Sequence, residues 1–351
     1  MPEQYTPPDI HVWKFASELS EYALPVFPNQ PGDGQLILVQ KNFPDKSGVL
    51  KTAYESLVRY FTAAGYRFTS DEGKADLRIA VTVNPGFSQE QYGISIHRSQ
   101  VKIEAAGQEG IRRGIYALTD VLCENSGRLP EELRITREPW LKTRLGRSPF
   151  SPIKRWPVYT DELLDDQDYY PDALLERLAH DAVNGIWIVS ELRELSETSF
   201  RKTDSRREQR LKKLEQLVQK CHGYGIKVYL FMIEPFAVLP DDELLRDHPE
   251  MFGPPAWGGK TCFCPAEANT RQYLFDSFRS IFTAAPQLGG VINICLGERP
   301  TTCLSSVRTS EQRPVACQTK CGLGMDEIME RNFRAMEDGI KAAAPDARLI
   351  A

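Results

Sequence analysis

The chain has 351 residues, 41% of them hydrophobic and 26% charged, with a formal net charge of −5. That is ordinary globular composition with room for two domains, and its mixed-sign charge offers no broad basic surface, so nucleic acid is not an expected partner. No stretch approaches the roughly 18 consecutive apolar residues of a membrane span, and the opening MPEQYTPPDIHVWKF lacks a cationic segment followed by an apolar core. The expectation is a cytoplasmic chain with no membrane partner, unless an export signal stands upstream of residue 1.

Residues 1–34 carry Pro7, Pro8, Pro25, Pro28 and Pro31 and read as an irregular lead-in. Residues 35–40 (QLILVQ) form an expected strand. Ala53, Leu57, Tyr60, Phe61 and Ala64 recur at helical spacing, and Gly65 stops that helix. Residues 75–83, 91–96 and 101–105 alternate as half-buried strands, the last two joined by a turn at 97–100. Residues 110–122 form an amphipathic helix with its apolar stripe at 111, 115, 118, 119 and 122. Residues 35–123 therefore predict a small α+β domain, and 124–140, polar and holding Pro130 and Pro139, a linker.

From residue 141 the pattern changes to strand-then-helix units. Strands are expected at 143–146, 185–190, 225–234, 291–296 and 347–351, with helices at 172–184, 201–220, 269–284 and 325–344 between them. Such alternation predicts parallel β/α architecture. A closed (β/α)8 TIM-type barrel takes typically about 250 residues, whereas 141–351 holds roughly four and a half units. The predicted fold class is thus α/β: a small α+β domain, then a catalytic TIM-type barrel that stops after about strand 5. An open parallel sheet of five strands is the alternative.

The stretch around residue 298 draws attention. Two glycines, an apolar run (VINICL, 291–296) and Gly297-Glu298-Arg299-Pro300 read as a buried strand delivering a carboxylate to its C-terminal end. In an α/β barrel that end carries the catalytic groups. Glu234 ends the preceding predicted strand just before Pro235, and Glu191 follows the strand before that. The alternative for Glu298 is an ion pair that caps the turn.

Five of the eight cysteines fall between 262 and 321, outside any predicted helix. With no export signal, crowding of this kind favours reduced thiols or metal over disulfides. Cys303, Cys317 and Cys321 give C-x13-C-x3-C after the fourth strand, and Cys264 lies after the third. Neighbouring loops would bring these four thiolates together as a structural zinc site.

Residues 92–96 (YGISI), 101–105 (VKIEA) and 110–118 (GIRRGIYAL) resemble the small α/β domain that precedes the barrel in family-20 β-N-acetylhexosaminidases and their relatives. The resemblance covers 75–123 and continues more loosely to 351. It implies a glycoside hydrolase acting on N-acetylhexosamine-containing or related glycans. It also implies that Arg144 matches the sugar-binding arginine at the end of the first barrel strand, and that Glu298 is the general acid of the family's Asp-Glu pair. Gly297 stands where that pair has Asp.

Cleavage of a glycosidic bond uses two carboxyls, one to protonate the leaving oxygen and one to attack, activate water or steady an internal nucleophile. Glu298 is the expected acid and Glu234 the expected second group. Glu191, Arg299 and Trp257, the last in a Gly- and Pro-rich loop suited to stacking on a sugar ring, are expected to contact substrate. This chemistry requires no cofactor, and residues 107–110 (GQEG) lack the Lys-Ser/Thr of a nucleotide loop. The expected partner is an oligosaccharide or glycoconjugate, and no oligomeric state is assigned. Two other classes stay open at this point: a non-catalytic carbohydrate-binding relative, and a metal-dependent hydrolase.

Overall fold

A computed structural model describes residues 26–45, 48–152, 160–296, 299–306, 317 and 320–351. The chain folds as two compact units. The first holds 1–150, 168–186 and 219–226, and the second 151–167, 187–218 and 227–351.

The first unit is built on a six-stranded sheet. Its strands are β1 (Leu36–Lys41), β2 (Arg67–Phe68), β3 (Leu77–Val83), β4 (Tyr92–His97), β5 (Gln100–Ala105) and β6 (Glu132–Arg137), in the order β2-β1-β3-β5-β4-β6. β1 runs parallel to β2 and β3, and β3 parallel to β5, while β4 is antiparallel to both β5 and β6. Helices α1 (Lys51–Ala63) and α2 (Gln108–Glu124) supply the apolar layer, burying Ala53, Leu57, Phe61, Ile111, Ile115, Leu118 and Leu122. The expected helices and the four expected strands of this region all form.

Gly114 explains the close approach of α2 to the sheet. A Cβ there would stand 2.5 Å from Ile103 Cγ2, so only a residue without a side chain lets the helix lie flat on β5.

The span 124–140, expected as a linker, is corrected by the structure. It contains β6, whose Ile135 pairs with Ile94 and whose Leu133 pairs with Ile96. Leu133 and Ile135 alternate with charged residues and are half-buried, the pattern of an edge strand covered on one face. The two prolines flank this strand and leave its ladder N–H groups intact.

The strand-helix region also follows expectation in outline. The first unit holds β7 (Leu145–Gly146), α3 (Asp172–His180) and the start of β8 (Gly185–Val189), with β7 parallel to β8. In the second unit come α4 (Leu192–Leu195), α5 (Arg207–His222), β9 (Lys227–Met232), α6 (Glu243–Asp247), α7 (Ala268–Ala284), β12 (Gly290–Asn293), α8 (Met325–Ala343) and β13 (Arg348–Ile350); α5 straddles the boundary. Strands β9, β12 and β13 run parallel in the order β13-β12-β9, and β8 lies next to β9. Among the described residues the five strands β13-β12-β9-β8-β7 form a sheet with two ends, and closure into a barrel is not seen.

The charged helix starts at Arg207 rather than 201 and buries Leu214, Val218 and Cys221. Arg210 is also buried, held by Asp161 at 2.9 Å, Asp204 at 2.8 Å and Glu194 at 3.6 Å. A buried guanidinium needs such pairing, because desolvation would otherwise cost several kcal/mol. Between β9 and α7 the chain makes an antiparallel pair, β10 (Phe252–Pro255) with β11 (Thr261–Phe263), which periodicity did not foretell.

Candidate active site

The site is assembled where β8 and β9 end. Two residues beyond β9, Glu234 is 6% exposed. Its Oε1 accepts the Leu192 N–H at the start of α4 at 2.8 Å, and its Oε2 accepts the Phe236 N–H at 2.7 Å. The Glu234 main chain is clamped from β12. Its N–H donates to Asn293 Oδ1 at 2.9 Å, and its carbonyl accepts from Asn293 Nδ2 at 2.9 Å. Asn293 is 2% exposed, so the carboxyl is fixed from two neighbouring strands.

Burial pushes the Glu234 carboxyl up from 4.5 to about 7, against the lowering effect of the two amides; the Glu191 charge adds to the rise and Arg193 opposes it. Such a group carries its proton near neutral pH. Glu191, two residues beyond β8, is more open and pairs with Arg193 at 2.8 Å. The two carboxyls thus differ in environment, Glu234 buried and Glu191 partly exposed.

Both line a cavity of about 380 Å³ in the second unit, together with Arg193, Arg201, Phe236, Asp242, Lys260, Phe263 and Tyr273. The aromatic wall is ordered: Phe263 stacks on Tyr273 with centroids 5.8 Å apart and planes 3° from parallel. Lys260 Nζ sits 3.8 Å from the Phe236 ring centroid, and the Arg299 guanidinium lies 5.2 Å from the same ring. Burial, then the Arg299 and Arg193 cations, hold the Lys260 ammonium below its usual value. Arg201 stands 4.0 Å from Asp242. Aromatic faces beside paired charges suit a ligand with both apolar ring faces and many hydroxyls.

The structure therefore brings Glu234 and Glu191 into one cavity, with Arg299 against its Phe236 wall. Glu298 lies outside the described residues, as does the side chain of Trp257, whose backbone forms a short 3-10 turn, Trp257–Gly259.

Arg144 is placed elsewhere. It precedes β7, in the first unit, and so stands at the N-terminal end of that strand rather than the expected C-terminal end. Its guanidinium is taken up by Glu90 and by the carbonyls of Ala182 and Leu141. Arg147 is the residue just past β7. Arg144 and Arg147 are three positions apart, and only the second follows Leu145-Gly146.

Sequence reasoning missed Asn293. The available signal was a lone amide in the run Val291-Ile292-Asn293-Ile294, since a polar side chain inside a buried strand must find partners.

The cysteines gather nearby in the second unit. Cys264, Cys303 and Cys321 bring their sulfurs within 4.8 Å of one another, and Cys317 joins them in one buried cluster with Leu304 and Ile328.

No family model matches this sequence, and no curated protein matches it. Solved structures do. A GH138 enzyme targeting pectin rhamnogalacturonan II aligns with a TM-score of 0.55 at 16% identity, over 88% of this chain and 42% of the other. An inactive variant of the GH20 exo-β-N-acetylglucosaminidase of Vibrio harveyi aligns with a TM-score of 0.52 at 13% identity, over 90% and 51%. The β-N-acetylhexosaminidase of Bacteroides fragilis aligns with a TM-score of 0.50 at 14% identity, over 90% and 61%. The chain spans about two fifths to three fifths of the length of these structures. At such identity the likeness is one of fold: a mixed α/β arrangement of the kind found in glycoside hydrolases.

Proposed function

We propose that this chain carries part or all of the active site of a glycoside hydrolase, acting on N-acetylhexosamine-containing or related glycans. The observation that carries the reading is Glu234. A buried carboxyl that holds its proton near neutral pH lies at the C-terminal end of a parallel sheet, in a cavity walled by aromatic rings and charged groups. Its position is the one from which barrel strands deliver catalytic groups. The fold shared with hexosaminidases and with a rhamnogalacturonan-targeting enzyme supports the same class.

In this reading Glu234 and Glu298 are the two carboxyls that glycoside cleavage needs. β9 and β12 are adjacent and parallel, so the segments that follow them start side by side. Glu298 is proposed to protonate the leaving oxygen. Glu234, held by two amides and by Asn293, is proposed to act on the opposite side of the bond as the carboxylate, the form that rising pH through about 7 populates. Arg299 and Lys260, both against Phe236, are proposed to grip hydroxyls while the rings cover a sugar face. Gly297 replaces the carboxylate that orients a 2-acetamido group in the resembling family, so an acetamido substituent need not be obligatory.

The test is turnover. The purified protein is assayed with aryl N-acetylhexosaminides, other aryl glycosides and pectic oligosaccharides, beside Glu298→Gln and Glu234→Gln. The reading expects hydrolysis that falls by about 10²- to 10⁴-fold in Glu298→Gln. Sugar binding without turnover, unchanged by Glu298→Gln, would instead identify a carbohydrate-binding relative.

A further inference from the structure

Four cysteines on three separate segments converge in the second unit. Cys264 follows β11, Cys303 opens a 3-10 turn (Cys303–Ser306), and Cys317 and Cys321 precede α8. None of the four is in a disulfide. The sulfurs of Cys264, Cys303 and Cys321 lie within 4.8 Å of one another. Cys317, 1% exposed, stands outside that 4.8 Å group but packs in the same buried cluster, against Cys321. Four thiolates at about 2.3 Å from a tetrahedral zinc stand about 3.8 Å apart, whereas a disulfide joins its sulfurs at about 2.05 Å.

The surroundings match what such a shell needs. Buried Leu304 and Ile328, with partly buried Leu323 and Met325, pack against it and leave Cys321 on the side nearest solvent. Main-chain N–H groups point at the sulfurs, that of Ala266 at Cys264 and that of Leu323 at Cys321, and such donors hold thiolate ligands in place and spread their charge. The Lys320 ammonium, tied to the carbonyls of Glu250 and Phe252 at 2.8 and 2.7 Å and paired with Glu267 at 3.2 Å, lies near Cys264.

We infer that Cys264, Cys303, Cys317 and Cys321 form a structural zinc site that locks the segment following β12 onto the β10–β11 pair. Four sulfur ligands leave no open position for water, so the metal takes no part in hydrolysis. Its effect reaches the cavity through the main chain. The Phe263 N–H, next to Cys264, donates to the Thr301 carbonyl at 3.1 Å, and the Ala237 N–H donates to the Pro300 carbonyl at 3.0 Å. Phe263 and Ala237 both line the cavity. Fixing Cys303 therefore fixes Pro300 to Thr302, and with them one wall. The inference stands on the cysteine geometry and does not depend on the glycosidase reading.

The experiment is metal analysis of the whole chain purified under reducing conditions without chelator. About one zinc per chain is expected, released when an organomercurial caps the thiols. Replacement by cobalt is expected to give the intense sulfur-to-metal absorption and visible bands of a tetrahedral thiolate site. Cys303→Ser and Cys321→Ser should lower bound zinc to under about a tenth per chain, while Cys123→Ser, in the first unit, keeps it. If the ligand variants fail to fold, the cobalt spectrum of the unaltered chain decides. Folded, reduced protein that takes up neither metal, or a disulfide within the cluster found by non-reducing peptide mapping, overturns the site. Turnover by folded, reduced protein that takes up no metal would overturn this inference and leave the glycosidase reading intact; metal held at the cysteines without turnover would do the reverse.

Discussion

The six-stranded sheet of the first unit and the ends of β8, β9 and β12 in the second are held by different kinds of contact. In the first, each strand is secured by its own alternation and by regular backbone ladders, whether across a two-residue turn, His97 opposite Gln100, or across some forty positions, Ile37 opposite Leu77. In the second, the decisive bonds join one side chain to backbone outside any strand ladder. Leu192 holds Glu234 across 42 positions, and Asn293 holds it across 59. A local pattern yields a sheet; a site needs side chains committed to distant backbone.

The second unit is therefore the more vulnerable to single polar substitutions. Arg210→Ala is expected to have the largest effect. It strands Asp161, Asp204 and Glu194 around a vacated guanidinium and should lower stability by about 3–5 kcal/mol, read from urea unfolding. A loss below about 1 kcal/mol would mean that the carboxylates are already well solvated.

Stability against pH sharpens the comparison next. The unfolded chain releases the Glu234 proton near 4.5 and the folded chain near about 7. Folding therefore retains a proton between these values, and stability falls as pH rises through that window, by on the order of 3 kcal/mol from this group. The slope should shrink in Glu234→Gln. Equal slopes in both proteins would show that the carboxyl is not desolvated.

Asn293→Ala follows, with a smaller loss. It removes two buried main-chain bonds worth about 1 kcal/mol each and should cost about 2 kcal/mol while changing the pH slope assigned to Glu234. A matching loss with no change in that slope would make Asn293 a support for the fold and not for the carboxyl.

The same contrast explains what the sequence made legible. The helices of the first unit and the parallel strands of the second declared themselves because burial on one or two faces leaves a periodic trace. β6 was hidden because half-buried Leu133 and Ile135 sit among charges. The β10–β11 pair was hidden because Phe252–Pro255 holds one glycine and two prolines, residues that argue against a strand. Glu234 and Glu191 could be named as strand-end carboxylates. Their unequal environments could not, since burial is a property of the assembled chain. Arg144 was matched to a strand end by resemblance, although the expected strand 143–146 and the observed β7 both end two residues later.

The central claim is that Glu234 is a buried carboxyl acting in glycoside cleavage. Its most direct test is kcat for glycan hydrolysis in Glu234→Gln beside the unaltered protein, with circular dichroism to show that both are folded. The account predicts a fall in kcat of about 10²-fold or more with KM changed little; hydrolysis by folded Glu234→Gln at the unaltered rate would contradict it.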